Sequence, residues 1–207
     1  MSKLKAIWFL PFTVVSLATL TLVASATFQR NAYPILGQIP SFELTDQQGN
    51  SVSRSDLLGH VVIVNFIFTS CQGACPLLTQ KMKRLQDYWD NTPQKGQIHY
   101  VSISVDPKTD TPKRLREYAR RFGAGEDWVF LTGPEEDISK VVINGFKSAM
   151  GRSLTSDDSS LMEIVHSERF VLIDPQGQIR GFFETDKPGR QALDQAILLA
   201  ATGRMRS

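Results

Sequence analysis

The feature that most constrains the fold is an almost continuous apolar run at residues 61–68 (VVIVNFIF). It is rich in β-branched and aromatic residues, which favours a strand buried on both of its faces. A similar run follows at residues 98–105, and residues 78–89 between them carry apolar side chains at helical spacing. Strand, helix and strand in this order predict two parallel strands joined by a crossover helix.

The remaining pattern extends this unit into the order of a thioredoxin-like α/β fold. A strand and a returning strand around residues 42–53 form an N-terminal hairpin extension, and an additional strand–helix unit follows the second buried strand. A second hairpin and a final helix complete the order, and a loop rich in Ser, Asp and Gly precedes that hairpin. The expected ranges are helices at 111–122, 134–146 and 189–202, strands at 128–131, 169–174 and 179–183, and the loop at 148–160.

The first 30 residues predict a targeting segment. Residues 6–28 form 23 consecutive residues without a charge, long enough to cross a bilayer once as a transmembrane helix, and Lys3 and Lys5 precede them. We expect residues 1–30 to be a membrane anchor; a cleavable signal peptide is the alternative, since residues 24–26 read Ala-Ser-Ala. Residues 31–40 are then a tether, and residues 41–207 are the folded domain.

This orientation predicts a bacterial inner-membrane protein with its domain in the periplasm, an oxidising compartment. A mitochondrial inner-membrane protein facing the intermembrane space is the less favoured alternative. Beyond residue 30 the chain has 20 Lys and Arg against 21 Asp and Glu. It therefore offers no basic stripe for nucleic acid.

Both cysteines, Cys71 and Cys75, lie directly after the first buried strand and are separated by three residues. Pro76 favours the first helical position, which makes Cys75 the predicted N-cap. Helix N-terminal amides stabilise thiolates, and no acidic residue occurs between positions 56 and 87, so we expect the pair to deprotonate easily. A disulfide that closes so short a loop would constrain the unfolded chain little, which argues against a purely structural role.

Topology suggests partners for these thiols. The carboxyl ends of the parallel strands share one edge of the sheet, where Asp106 ends the second strand. In a thioredoxin-like fold, the loop that carries His166 lies beside the cysteine loop. Two thiolates and one imidazole suit Cu(I), although a catalytic zinc site has the same ligand types. His60 and His99 lie away from this edge and are expected to be structural.

Thiol–disulfide exchange is the main alternative function. Thioredoxins, however, use two intervening residues between their cysteines and a proline before the hairpin, where this chain has Val165, His166 and Ser167. Both differences favour metal binding. A peroxidase is disfavoured because the two cysteines sit together and leave no separate resolving cysteine.

Three segments resemble the Sco/SenC family of copper-binding, thioredoxin-like proteins: VVIVNFIFTSCQGACP at 61–76, SISVDPKTDTP at 102–112 and HSERFVLIDPQG at 166–177. The resemblance extends over about residues 38–203. It implies that Cys71, Cys75 and His166 are copper ligands, that Asp106 is an acidic residue near the site, and that the chain has a single membrane anchor.

The same resemblance implies a metallochaperone rather than an enzyme. Family members help load the dinuclear copper A centre of cytochrome c oxidase, as copper donor, thiol reductant or both. The expected partner is the copper A-bearing oxidase subunit or another copper or thiol protein. A redox or copper sensor is an alternative within the family. The chain departs from the common Cys-Pro-Asp-x-Cys-Pro motif, because Gln72 and Gly73 replace its proline and acid.

Overall fold

A computed structural model describes residues 33–147 and 168–205 of the chain. Six strands of these residues form one sheet in the order β1-β8-β7-β4-β5-β6, and β2 and β3 form a separate hairpin. This arrangement confirms the predicted thioredoxin-like fold and its N-terminal hairpin. In chain order the elements are β1 (Gly37–Gln38), β2 (Glu43–Thr45), β3 (Ser51–Ser53), a 3₁₀ turn (Arg54–Leu57), β4 (Val61–Ile67), α1 (Ala74–Trp89), β5 (Ile98–Ser104), α2 (Pro112–Phe122), β6 (Trp128–Leu131), α3 (Glu135–Ser139), a π-helix (Lys140–Lys147), β7 (Phe170–Ile173), β8 (Gln178–Phe183) and α4 (Lys187–Ala201).

Strand β4 is at the centre of the fold, and all seven of its residues are buried. It pairs in parallel with β5 from Val61 opposite Ile98 to Ile67 opposite Ser104. On its other side it pairs with β7 in the antiparallel sense. Because β4 and β5 run in parallel and in register, their carboxyl ends lie side by side at one edge of the sheet, as predicted.

Each face of the sheet has its own hydrophobic core. Helices α1, α2 and α4 cover one face, with Met82, Leu115 and Leu193 fully buried beneath them. The β2–β3 hairpin, α3 and the π-helix cover the opposite face, where Leu44 and Phe146 are buried. This coverage explains why the sequence of β4 is apolar without alternation.

Helix α1 begins at Ala74, with Gly73 as its N-cap residue. Cys75 therefore lies inside the first helical turn, and the prediction that it is the N-cap was wrong. Pro76 does not have to open the helix, because backbone N–H groups throughout the first turn lack helical acceptors and proline simply lacks one of them.

The outer edge of β6 is occupied. The amide of Gln47 donates to the Trp128 carbonyl oxygen at 3.3 Å and accepts from the Phe130 N–H at 2.8 Å. Thr45 and Thr132 exchange two backbone hydrogen bonds next to it, at 2.7 and 2.9 Å. The hairpin extension therefore closes this side of the sheet.

The opposite edge is the two-residue strand β1, which pairs with β8. Ile39 follows it and is 2% exposed. Residues 37–39 of the range expected to be a tether are thus part of the folded domain. Within the described ranges, none of the helices has the length and apolar character needed to span a bilayer. The predicted anchor at residues 6–28 lies outside them.

Candidate metal centre

The two cysteines lie together between the end of β4 and the first turn of α1. Cys71 is partly exposed, whereas Cys75 is 1% exposed, and both are free thiols. A backbone hydrogen bond of 3.2 Å from the Cys71 N–H to the Phe68 carbonyl oxygen closes the turn after β4. This turn brings the Cys71 side chain close enough to the Cys75 side chain for each thiol to affect the pKa of the other.

The environment acts on the two thiols in opposite directions. Burial by itself raises the pKa of Cys71. Hydrogen bonds to its sulfur from the N–H groups of Cys75, Gly73 and Ala74, and from the Cys75 thiol, outweigh burial, so the net pKa is below the ordinary value of 9.0. These amides belong to the start of α1, as the sequence predicted.

Burial also dominates at Cys75 and raises the pKa of its thiol to about 12. A backbone hydrogen bond at Phe68 lowers this pKa, but the hydrogen bond and charge of Cys71 and the charge of Asp110 raise it further. The expectation that both thiols would deprotonate easily therefore applies to Cys71 alone.

Asp110 is the carboxyl group that contacts the segment leading to the cysteines. It is fully buried, and its Oδ2 accepts from the Thr69 N–H at 3.0 Å and from the Ser104 hydroxyl at 2.7 Å. Its Oδ1 accepts from the Thr69 hydroxyl at 2.5 Å. Our reading of the sequence missed this residue. Its position directly before the helix start at Thr111-Pro112, in the loop that follows β5, was the available signal.

Asp106, the acidic residue that was predicted near the site, lies in the turn after β5. Its Oδ1 accepts from the Thr109 N–H at 3.3 Å, and its own N–H donates to the Ser104 hydroxyl at 3.1 Å. Its backbone carbonyl oxygen accepts from the Asp110 N–H at 2.9 Å. These hydrogen bonds keep Asp106 within its own turn and orient Asp110 toward the cysteine loop.

Two further buried side chains, Thr79 and Tyr118, form a hydrogen-bonded series that ends at the backbone of Cys75. The Thr79 hydroxyl donates to the Cys75 carbonyl oxygen at 2.8 Å and lies 2.9 Å from the Tyr118 hydroxyl. Since the single Thr79 proton is used toward Cys75, Tyr118 is the donor to Thr79. Burial raises the pKa of Tyr118 to about 12, which keeps its proton available as a donor.

The described residues account for two of the three predicted ligands. His166 lies outside them, so the structure brings Cys71 and Cys75 together and leaves the third ligand a prediction. Among the described residues, no group of three or more His, Cys, Asp and Glu side chains is placed to hold a metal ion. Two adjacent free thiols, one of them accessible, fit a soft ion such as Cu(I) in low coordination number.

Comparisons with known proteins agree with this fold. The SCO1/SenC family model matches residues 36–200. The SCO1 protein homolog of Bacillus subtilis (strain 168) is 30% identical over 148 residues, which are 70% of this chain and 73% of that protein. The solved structure of BsSco, a member of the Sco family of cytochrome c oxidase assembly proteins in which a disulfide switch was identified, has a TM-score of 0.66 and 26% identity, covering 82% of this chain and 96% of that one.

Copper is bound in several of the similar structures. Arabidopsis thaliana ScoI with copper bound has a TM-score of 0.59 and 25% identity, covering 78% of this chain and 98% of that one. The family match spans both strands of the central parallel pair, both cysteines and the final helix. The chain therefore belongs to the SCO1/SenC family.

Proposed function

We propose that this protein is a copper metallochaperone that holds copper as cargo through the thiolates of Cys71 and Cys75, with His166 as the third ligand. The observation that carries the proposal is the pair of free, neighbouring thiols at the carboxyl edge of β4, close enough that each affects the pKa of the other. Copper-bound ScoI of Arabidopsis thaliana, with the same fold, supports copper as the cargo.

The two thiols have different parts in this function. Cys71 is the accessible sulfur and deprotonates more readily, so it is the first to meet incoming copper. Cys75 is fixed in the first turn of α1 and its thiol holds its proton tightly, with a pKa of about 12. A bound cation strongly favours the thiolate form of a ligand, so Cys75 loses its proton as copper binds. Binding at both thiols therefore releases protons and strengthens as pH rises.

The proposed recipient is the copper A-bearing subunit of cytochrome c oxidase. The relation to BsSco, a member of a family of cytochrome c oxidase assembly proteins, supports this choice. Residues 1–30 serve as a single membrane anchor in this proposal, with the domain in the bacterial periplasm. That location places the thiols on the side of the membrane where exported copper proteins mature.

Metal analysis of the purified full chain tests the proposal. The reduced protein is loaded anaerobically with Cu(I), and the expected result is one copper per chain. The variant Cys71→Ser/Cys75→Ser is expected to retain almost none. Loading of that variant to the wild-type level would sink the proposal, as would wild-type protein that retains no copper.

The contribution of His166 is tested separately with His166→Ala. We expect weaker Cu(I) binding in competition with a chelator, and an unchanged circular dichroism spectrum. An unchanged affinity would remove His166 from the ligand set while leaving the cysteine site in place.

A second candidate function is thiol–disulfide exchange, and the unequal thiols favour it. The Cys71 thiolate attacks a disulfide of a partner protein, forms a mixed disulfide and expels one partner thiol. Cys75 then displaces the second partner thiol and closes the Cys71–Cys75 disulfide, so the partner gains two electrons and two protons. Accumulation of a mixed disulfide in Cys75→Ser, together with loss of reaction in Cys71→Ser, would support this function. Absence of both would exclude it.

A further inference from the structure

We propose that Asp110 is a positioning residue that fixes the segment 69–71 and thereby sets the placement of the Cys71 thiol against Cys75. This inference rests on the proposed copper function only for its predicted effect on copper affinity. The effect on the backbone of the cysteine loop stands on the geometry alone.

The first step is the number of donors that converge on one buried carboxyl group. Asp110 is completely buried, and it accepts from the Thr69 N–H, the Thr69 hydroxyl and the Ser104 hydroxyl. Within the parts of the chain that the structure describes, no cationic side chain forms an ion pair with it. The hydrogen bonds to the loop are thus what offsets the cost of burying this group, and each of them depends on Asp110 for its acceptor.

The second step is the path from these bonds to the thiol. Thr69 is two residues before Cys71, and the intervening turn is closed by the bond from the Cys71 N–H to the Phe68 carbonyl oxygen. The Thr69 hydroxyl also accepts from the Arg114 Nε–H at 2.7 Å, which ties the same point to α2. The loop is therefore held at Thr69 from both β5 and α2.

The third step is the contrast between the two cysteines. Cys75 is immobilised by α1 and by the Thr79 hydroxyl beneath it. Cys71 lies in the irregular segment between β4 and α1, where Gly73 has no neighbouring atoms in the space of a Cβ. Cys71 packs partly against the core on one side, and the anchor at Thr69 fixes the backbone that leads into it, which sets where the Cys71 sulfur lies relative to Cys75.

The acceptor must have two equivalent oxygens. Asp110→Asn keeps the shape, but it replaces one oxygen with an NH₂ group that faces a donor. In one orientation the NH₂ group faces the Thr69 hydroxyl, which already accepts from Arg114 and would have to turn its own proton away. In the other orientation it faces the Thr69 N–H, a donor that cannot reverse. The amide therefore weakens the anchor in either orientation.

Asp46→Asn is the matched control. Asp46 is 8% exposed and likewise accepts from backbone N–H groups in a turn, those of Gln48 and Asn50 at 2.8 Å each. It lies in the β2–β3 hairpin and contacts neither cysteine. Both backbone N–H groups donate to Oδ1, so Asp46→Asn can keep these bonds and replaces only the oxygen that accepts from Asn50 Nδ2 at 3.0 Å. The variant therefore controls for the change from carboxylate to amide itself, away from the thiols.

The experiment has two readouts on the purified full chain. Without copper, Asp110→Asn is expected to accelerate amide hydrogen exchange at residues 69–71 about tenfold, the effect of losing one hydrogen bond of ordinary strength. With copper, Cu(I) affinity in chelator competition is expected to fall about 10- to 100-fold, the usual effect of removing a partner that orients a ligand. Asp46→Asn is expected to leave both the exchange at residues 69–71 and the Cu(I) affinity unchanged.

Two variants of Thr69 test the same hydrogen bonds at the donor residue. Thr69→Ser keeps the hydroxyl and is expected to behave as wild type, whereas Thr69→Val is expected to reproduce the changes of Asp110→Asn. They also decide the question if Asp110→Asn does not fold. Wild-type exchange at residues 69–71 and wild-type affinity in a folded Asp110→Asn, or in Thr69→Val, would overturn the inference.

An equal loss of copper affinity in Asp46→Asn would also overturn it, because the effect would then be one of general stability. If the wild-type chain binds no copper, the proposed function fails. The exchange measurement then decides the role of Asp110 by itself.

Discussion

The two ends of the β4–β5 pair both carry residues that can bind metals, yet only one end forms a candidate site. At the carboxyl ends lie Cys71 and Cys75. At the amino ends, His60 and His99 stack with ring centroids 3.7 Å apart and planes 18° from parallel. The lone pairs of an imidazole lie in the plane of its ring, so two nearly parallel rings at this separation cannot both direct a nitrogen at one ion about 2 Å away.

The cysteine end differs because its donors converge. Strand β4 passes into a short turn and then into the first turn of α1, which brings both sulfurs to the same place with helix amides beside them. The comparison teaches that residue type alone does not make a site. The carboxyl ends of parallel strands are where loops and helix N-termini meet, and that is where donor atoms can point at a common ligand.

The largest expected effect is a difference in Cu(I) affinity between variants of the two ends. Replacing the cysteines in Cys71→Ser/Cys75→Ser should lower Cu(I) affinity by several orders of magnitude, since soft thiolates are the preferred ligands of Cu(I). The variant His60→Asn/His99→Asn should leave it unchanged. Chelator competition on the reduced proteins measures both. A comparable loss in the histidine variant would mean that the amino end takes part in copper binding.

The next largest effect is a difference in reactivity between the two thiols, Cys71 and Cys75. Iodoacetamide at pH 8 should modify Cys71 before Cys75, by roughly a hundredfold or more, because a thiol with a pKa of about 12 is ionised in only about one molecule in ten thousand at that pH. Peptide mapping by mass spectrometry during a time course gives the two rates. Equal rates would contradict the unequal environments of the two thiols.

Substitutions at two buried serines of β5, Ser102 and Ser104, distinguish an effect on stability from an effect on the geometry of the site. Ser102 donates to Asn65 Oδ1 at 2.7 Å and accepts from Trp128 Nε1 at 2.9 Å, midway between the two ends. Ser102→Ala should therefore cost about 2 kcal/mol of unfolding free energy by leaving buried polar atoms unpaired, without changing Cu(I) affinity. Ser104→Ala should lower both, because Ser104 donates to Asp110. Denaturant titration and chelator competition check the pair, and identical behaviour of the two variants would contradict the distinction.

The smallest effect is a pH dependence at the histidine end. Burial, followed by the charge of His60, lowers the pKa of His99 below its ordinary 6.5, against an opposing effect of Asp127. The unfolded chain then binds a proton more readily than the native one, so this contribution to stability is present above about pH 6.5 and is lost as pH falls below it. Thermal unfolding between pH 7.5 and 5.5 should show a decrease that is smaller in His99→Asn. An identical slope in that variant would remove His99 as its cause.

The sequence predicted the parts of this molecule that local patterns determine. The apolar run of β4, the helical spacing of α1 and the cysteine spacing are all short-range signals, and they located the sheet and the thiols correctly. Short-range patterns did not show that Asp106 and Asp110 have different roles. The bonds from Thr69 to Asp110 join residues 41 positions apart, so only the folded chain shows which of the two acids reaches the cysteine loop.

The difference between the two thiols was hidden for a related reason. The sequence places both cysteines beside a helix N-terminus, which predicts a low pKa for each. The pKa of Cys75 is raised instead, because the packing of the cysteine loop and α1 buries it, and burial is a property of the whole fold. The ligand role of His166 and the membrane anchor remain predictions.

The closed edges of the sheet also limit how this domain can meet other proteins. Gln47 and Thr45 already satisfy backbone groups along the outside of β6, and β1 at the other edge is only two residues long, with Pro40 shortly after it. Among the described residues, the β6 edge is therefore covered, and the strand at the other edge offers another chain only two residues to pair with. This coverage limits edge-to-edge association between copies of the domain. A partner is left to recognise it through side chains and loops, and the accessible thiol lies in one of those loops.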